Sequence, residues 1–158
     1  MSSIKLNIKY SNQSSPITWE QIKKYHKNAP SIVLPREHHI IEKYQIHADM
    51  LFKKGIDLKD YIYNQLFEGK DIKYCLELNN YPYWCYGLKH YLLWFNPKYN
   101  NLLPTDLNKV NPDIVNNIVK TKYPNNQYIY YENLENNKSV PSIKHLHIFI
   151  KTSIETDV

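Results

Sequence analysis

The chain has 158 residues, 42% of them apolar, with a formal charge of +5 and a pI near 9.0. That length and apolar share suit one domain, residues 1–158, with a core of its own. Three glycines, Gly55, Gly69 and Gly87, leave no glycine-rich loop to cradle phosphates. No run of five basic residues occurs, so the positive charge reads as solubility and nucleic acid is not an expected partner.

The first ten residues lack the apolar core of a signal peptide, and no stretch is long enough to cross a bilayer. A cytoplasmic protein with no membrane partner is the expectation. Cys75 and Cys85 have no CxxC spacing and read as separate thiols. Ile4, Leu6 and Ile8 alternate and predict a short edge strand over 3–10.

Thr18-Trp19-Glu20-Gln21 has capping-box form, with Ile17 and Ile22 placed as a staple, and predicts a helix to about Lys27. Pro35 is placed for the first turn of a second helix that carries Ile40, Ile41, Tyr44, Ala48, Leu51 and Phe52 and ends at Gly55. Asp57 caps a third helix, through Leu66, closed by Gly69. The helical part is therefore expected over about 15–68. The period then changes to two. Strands are expected at 72–78 and 88–95, a helix from Asn111-Pro112 to about Lys120, a third strand at 127–131, and a fourth around His145-Leu146-His147. The order predicts an α+β fold, N-terminal helices packed on a mainly antiparallel sheet with a ββαββ core over about 70–152.

The chemistry concentrates in the last strand. Alternation puts His145 and His147 on one face and Leu146, Ile148 and Ile150 on the other, so the apolar face can be buried while the rings stand where a phosphate or a metal reaches them. His90 lies on a strand that neighbours this one if the elements pair as a meander. Three imidazoles then converge. A core histidine bonded to backbone is the commoner fate for His90 taken alone. Arg36, the only arginine, could clamp a phosphate, although a surface ion pair with Glu37 or Glu42 is the commoner fate. His39, Lys43 and His47 read as a solvated helical stripe. Glu155-Thr156-Asp157-Val158 has the form of a C-terminal peptide for a PDZ-type groove, a match that arises often by chance.

Asp71-Ile72-Lys73, Asn79-Asn80-Tyr81-Pro82-Tyr83, Gly87 and His90-Tyr91-Leu92-Leu93-Trp94 resemble the fungal N-acetylglucosamine-induced protein family, whose pattern is Asn-Asp-Trp-Pro-Tyr-Gly followed by Ile-x-His-Leu-Val-Val-Trp. Tyr130-Tyr131-Glu132-Asn133, Lys138-Ser139-Val140 and Ile143 to Ile148 resemble its C-terminal segment. Trp19 and Arg36 match a tryptophan-headed helix and an arginine before its second helix, so the likeness covers most of 18–151. Asn80 stands where that family has Asp, and Tyr81 where it has Trp. The family brings no activity with it.

The C-terminal half is also similar in order to the histidine triad superfamily of nucleotide hydrolases and transferases: strand, polar turn, strand opening with His, helix, strand ending in Asn, then Ser-Val and His-x-His. That resemblance implies a nucleotide or sugar-phosphate ligand, no cofactor and a homodimer. It implies ligand contacts from Asn79, Asn80, Asn133 and Ser139, to which the residues themselves add Arg36 by its charge and Tyr81 and Tyr83 by stacking. Two registers are open. If Ile143, His145 and His147 fill the triad positions, His145 is the nucleophile on phosphorus, His147 bonds the phosphoryl oxygens or leaving group and His90 orients the ring. If His145, His147 and Phe149 fill them, His147 is the nucleophile. The first needs one inserted residue after Val140 and is preferred. Two rival readings keep the same residues. In one, His90, His145 and His147 ligate Zn²⁺ or another divalent ion; in the other, the Tyr81 to Trp84 turn and the histidine face bind a base or sugar by stacking without catalysis.

Overall fold

A computed structural model describes residues 8–138 and 140–152. The expected strand over 3–10 falls mostly outside these residues, as do Ser139 and the C-terminal Glu-Thr-Asp-Val tail, and residues 8–10 are not in a strand.

The fold is α+β. Helices α1 (Trp19–Ile22), α2 (His38–Lys53) and α3 (Leu58–Leu66) precede strands β1 (Tyr74–Leu78) and β2 (Leu88–Phe95), then α4 (Pro112–Lys122), β3 (Tyr128–Tyr131) and β4 (His145–Lys151). Thr18 caps α1 by accepting from the Gln21 N–H, Asp57 caps α3 through the Lys59 N–H, and Asn111 caps α4 through the Asp113 N–H. α1 is shorter than its capping box suggests: it passes at once into a 3-10 turn over Lys23–Tyr25, and Lys27 turns left-handed at φ 59°. α2 starts at His38 rather than at Pro35, with Glu37 as its N-cap residue. Gly55 and Gly69 take φ near +70° beyond α2 and α3, where a side chain would be strained.

All strand pairs are antiparallel, in the order β1-β2-β4-β3. The sheet is therefore not a meander, because β4 inserts between β2 and β3. The histidine strand is thus central, and the expectation that His90 lies on its neighbour holds. The far edge of β3 is closed by the turn after α1: the Tyr130 N–H donates to His26 Nδ1 and the Lys27 N–H to the Tyr130 carbonyl.

Alternation sorts the side chains onto two faces. One face carries Tyr91, Leu93, Phe95, Tyr130, Leu146, Ile148 and Ile150 and packs on Val115 and Val119 of α4. The other carries His90, Leu92, Trp94, Ile129, Tyr131, His145, His147 and Phe149. That second face is covered, contrary to the sequence expectation. Ile17, Ile22 and Leu34 pack on Tyr131 and Phe149, while Leu66, Phe67, Val140 and Ile143 pack on Leu92 and Trp94. The physical reason is the helical N-terminal part, whose apolar residues need a sheet face and find this one.

Candidate functional site

The three histidines converge between the two packed patches of the covered face. His90 Nε2 and His147 Nδ1 are 2.8 Å apart, and the His145 and His147 ring centroids are 5.5 Å apart. All three are buried, at 2%, 8% and 5% exposure for His90, His145 and His147. Register explains the contact: His90 pairs with Phe149 and His147 with Leu92, so the two imidazoles are diagonal neighbours across β2 and β4.

The hydrogen bonds fix the tautomers. Burial lowers the pKa of each ring, for His145 to about 4, and the Arg36 charge pushes His90 and His147 further down. All three are therefore neutral at pH 7. The Tyr83 backbone N–H donates to His90 Nδ1 at 3.1 Å, so the His90 proton sits on Nε2 and is donated to His147 Nδ1. His147 then carries its proton on Nε2, which is buried and has no partner. His145 is arranged the other way. Its Nδ1–H donates to the Ile143 carbonyl at 2.8 Å, which leaves a lone pair on Nε2. One ring thus offers an electron pair and its neighbour a proton.

Aromatic side chains enclose the rings. Tyr83 stacks on His90 and His147 at centroid distances of 4.7 and 5.8 Å, Tyr131 stacks on His147 at 5.6 Å, and Trp94 lies 4.3 Å from His145. The Tyr131 hydroxyl is buried without a partner, whereas the Trp94 Nε1–H faces the half-buried Glu77 carboxyl of β1. Trp94 and Tyr131 carry no role in the sequence reading. The signal for Trp94 is its spacing, because positions 90, 92 and 94 of one strand share a face.

The remaining sequence candidates divide into three groups. Tyr83 and Arg36 join the cluster. The Arg36 guanidinium carbon lies 4.6 Å from the Tyr83 ring centroid, and its Nε–H donates to the Tyr81 carbonyl at 2.8 Å. No described carboxylate pairs with it, so the surface ion pair expected with Glu37 or Glu42 is absent; Glu42 is near His38 instead. Asn79 and Tyr81 build the turn: Asn79 Oδ1 accepts from the Tyr81 N–H, and the Tyr81 ring stacks on Tyr44 at 4.5 Å. Asn80 is exposed at that turn. His47, read as part of a solvated stripe, is half-buried against Tyr61 and Tyr81.

Asn133 lies elsewhere, in a polar cleft of about 620 Å³ that also takes in Asp106, Glu132, Lys138, Ser142 and Lys144. This cleft adjoins the start of β4. Lys138 and Glu132, joined by a 2.8 Å ion pair, are the charges that act on the His145 ring.

No group of three or more His, Cys, Asp or Glu side chains among the described residues is arranged to hold a metal ion. Both His90 nitrogens are engaged, so a His90, His145, His147 ligand set would have to break the His90–His147 bond. Cys75 and Cys85 are free thiols, and no helix among the described residues is long and apolar enough to cross a membrane.

The histidine strand, the His90 strand and the Asn79 to Tyr83 turn that precedes it lie within residues 18–151, all matched by one family model, Protein of unknown function (DUF3605). The chain belongs to this family. No curated protein matches it at a significant level. A crystal structure of a protein named HTC1 is similar to this member of the family over 85% of this chain and 84% of that one, with 19% identity and a TM-score of 0.56. That likeness is one of fold.

Proposed function

We propose that the protein hydrolyses or transfers a phosphoryl-linked group of a nucleotide or sugar nucleotide, with His145 as nucleophile. The observation that carries this reading is the opposite protonation of two adjacent rings: His145 Nε2 holds a lone pair and His147 Nε2 a proton. Phosphoryl transfer needs both. His145 Nε2 attacks phosphorus, the bond from phosphorus to the leaving oxygen breaks, and that oxygen departs with the electron pair as an oxyanion hydrogen-bonded to the His147 Nε2–H. Water or another acceptor hydroxyl then attacks the phosphohistidine, gives its proton to the departed oxyanion and releases the electron pair of the P–N bond to His145. The depressed pKa keeps the nucleophile unprotonated at neutral pH. His90 is a positioning residue, since its bond from the Tyr83 N–H sets which His147 nitrogen carries the proton.

The tautomer assignment favours the register with Ile143, His145 and His147 in the triad positions, so the resemblance to the histidine triad superfamily supports the same roles. The fungal N-acetylglucosamine-induced family, to which the motifs also point, adds no activity. In the test, nucleoside diphosphate sugars and nucleoside phosphoramidates are incubated with wild type and His145→Ala, with acid-labile phosphohistidine read by mass spectrometry. Wild type is expected to form the adduct and turn over, and the variant to lose at least about a thousandfold in rate while remaining folded. Equal rates in the two proteins, or no product with any substrate, would sink the proposal. Binding without product would favour a non-catalytic nucleotide- or sugar-binding module, for which the Tyr83 and Tyr131 rings are suited.

A further inference from the structure

Arg36 is oriented by its neighbours without being neutralised. Its Nε–H is spent on the Tyr81 carbonyl, and the guanidinium carbon stands 4.6 Å from the Tyr83 ring and 5.3 Å from the Tyr44 ring. These contacts leave the two terminal nitrogens, the fork that grips phosphate oxygens in pairs. The surroundings supply no counter-charge. Arg36 acts on His90, His147 and Tyr131, and no carboxylate is among the groups acting on those three rings. A partly buried cation among neutral rings is costly unless an anion completes it. A second, independent observation points the same way: the His147 Nε2–H is buried with no acceptor, in the ring stack that Tyr83 shares with Arg36. A buried donor left unmade costs about 1–3 kcal/mol, which a ligand oxygen would recover.

We propose that Arg36 and the His147 N–H form an anion subsite for the leaving group, and that this leaving group is itself a phosphate. The substrates are then pyrophosphate-linked compounds, in preference to phosphoramidates or esters with uncharged leaving groups. This rests on the proposed role of His145: attack on one phosphorus sends the electron pair to the bridging oxygen, which accepts a hydrogen bond from the His147 N–H while Arg36 holds the charge of the departing phosphate.

The test is calorimetric titration of the full chain with inorganic pyrophosphate and with inorganic phosphate, in wild type, Arg36→Gln, Arg36→Lys and His145→Ala. Wild type is expected to bind pyrophosphate more tightly than phosphate. Arg36→Gln should lose at least tenfold in pyrophosphate affinity, and Arg36→Lys, which keeps the charge without the fork, should lose less. His145→Ala, which cannot form the phosphohistidine, reads binding apart from turnover, and its pyrophosphate affinity should stay above that of Arg36→Gln. In wild type the His147 Nε2–H resonance should move on titration. Equal affinity in Arg36→Gln and wild type, or no pyrophosphate binding by wild type, overturns the subsite. Arg36-dependent binding in a protein that turns nothing over leaves the subsite standing and removes the catalytic reading alone.

Discussion

The two faces of the sheet are built from the same four strands and are both buried, yet they are made differently. The face against α4 is a dry apolar layer in which the Tyr91 and Tyr123 hydroxyls bond each other at 2.8 Å. The opposite face, equally hidden, holds three imidazoles, an indole and a phenol, and leaves His147 Nε2 and the Tyr131 hydroxyl without partners, with the Trp94 Nε1–H facing the Glu77 carboxyl. On the α4 face, among the described residues, only the Tyr130 hydroxyl is left without a partner. Unpaired buried polar groups cost stability, and a chain that needed only a core would fill this face as it fills the other. The contrast is what favours the histidine face for the proposed ligand site.

The sharpest way to break that comparison is to truncate neighbours on opposite faces. Leu146→Ala should cost about 3 kcal/mol, read by denaturant unfolding, because it opens a cavity in the apolar layer. His145→Ala should cost less than half as much, since it removes a group that makes one hydrogen bond to backbone. Equal losses would mean that the histidine face is ordinary core.

Next comes pH. The folded-state pKa values of His90, His145 and His147 lie below their unfolded values, so the unfolded chain binds more protons as pH falls. Stability is complete above the unfolded histidine pKa of about 6.5 and declines below it, down to about 4 for His145. Each such histidine contributes a slope of up to about 1.4 kcal/mol per pH unit in that window. Unfolding free energy measured from pH 7.5 to 5 should fall with a slope of more than one proton, and a flat profile would contradict neutral buried rings. His26, lowered by burial and by the Lys27 charge, adds in the same direction.

The smallest effect tests the orphaned hydroxyl. Tyr131→Phe should be neutral or stabilising by up to about 1 kcal/mol, whereas Tyr91→Phe should destabilise by about 1 kcal/mol through loss of its bond to Tyr123. Thermal melts of the pair decide it, and the same sign for both would erase the distinction between the faces.

Much of this was legible along the chain. The caps Thr18, Asp57 and Asn111, the limits of β2 and the shared face of His145 and His147 follow from spacing and capping chemistry, which act within a few residues. What spacing does not carry is what lies across a face. That the histidine face is covered depends on Ile17, Leu34 and Leu66 arriving from the far end of the sequence. The ring tautomers depend on two backbone groups, the Tyr83 N–H and the Ile143 carbonyl, delivered by loops.

The sequence by itself determined the elements and their amphipathic faces, because period and caps are local properties of the backbone. The tertiary structure alone decided that β4 lies between β2 and β3, that the three imidazoles meet in a buried ring stack, and that Arg36 stands beside them without a counterion. Pairing order and burial are settled by contacts between residues distant in the chain, and those contacts give two neighbouring strand histidines opposite tautomers, one with a free lone pair on Nε2 and one with an Nε2–H.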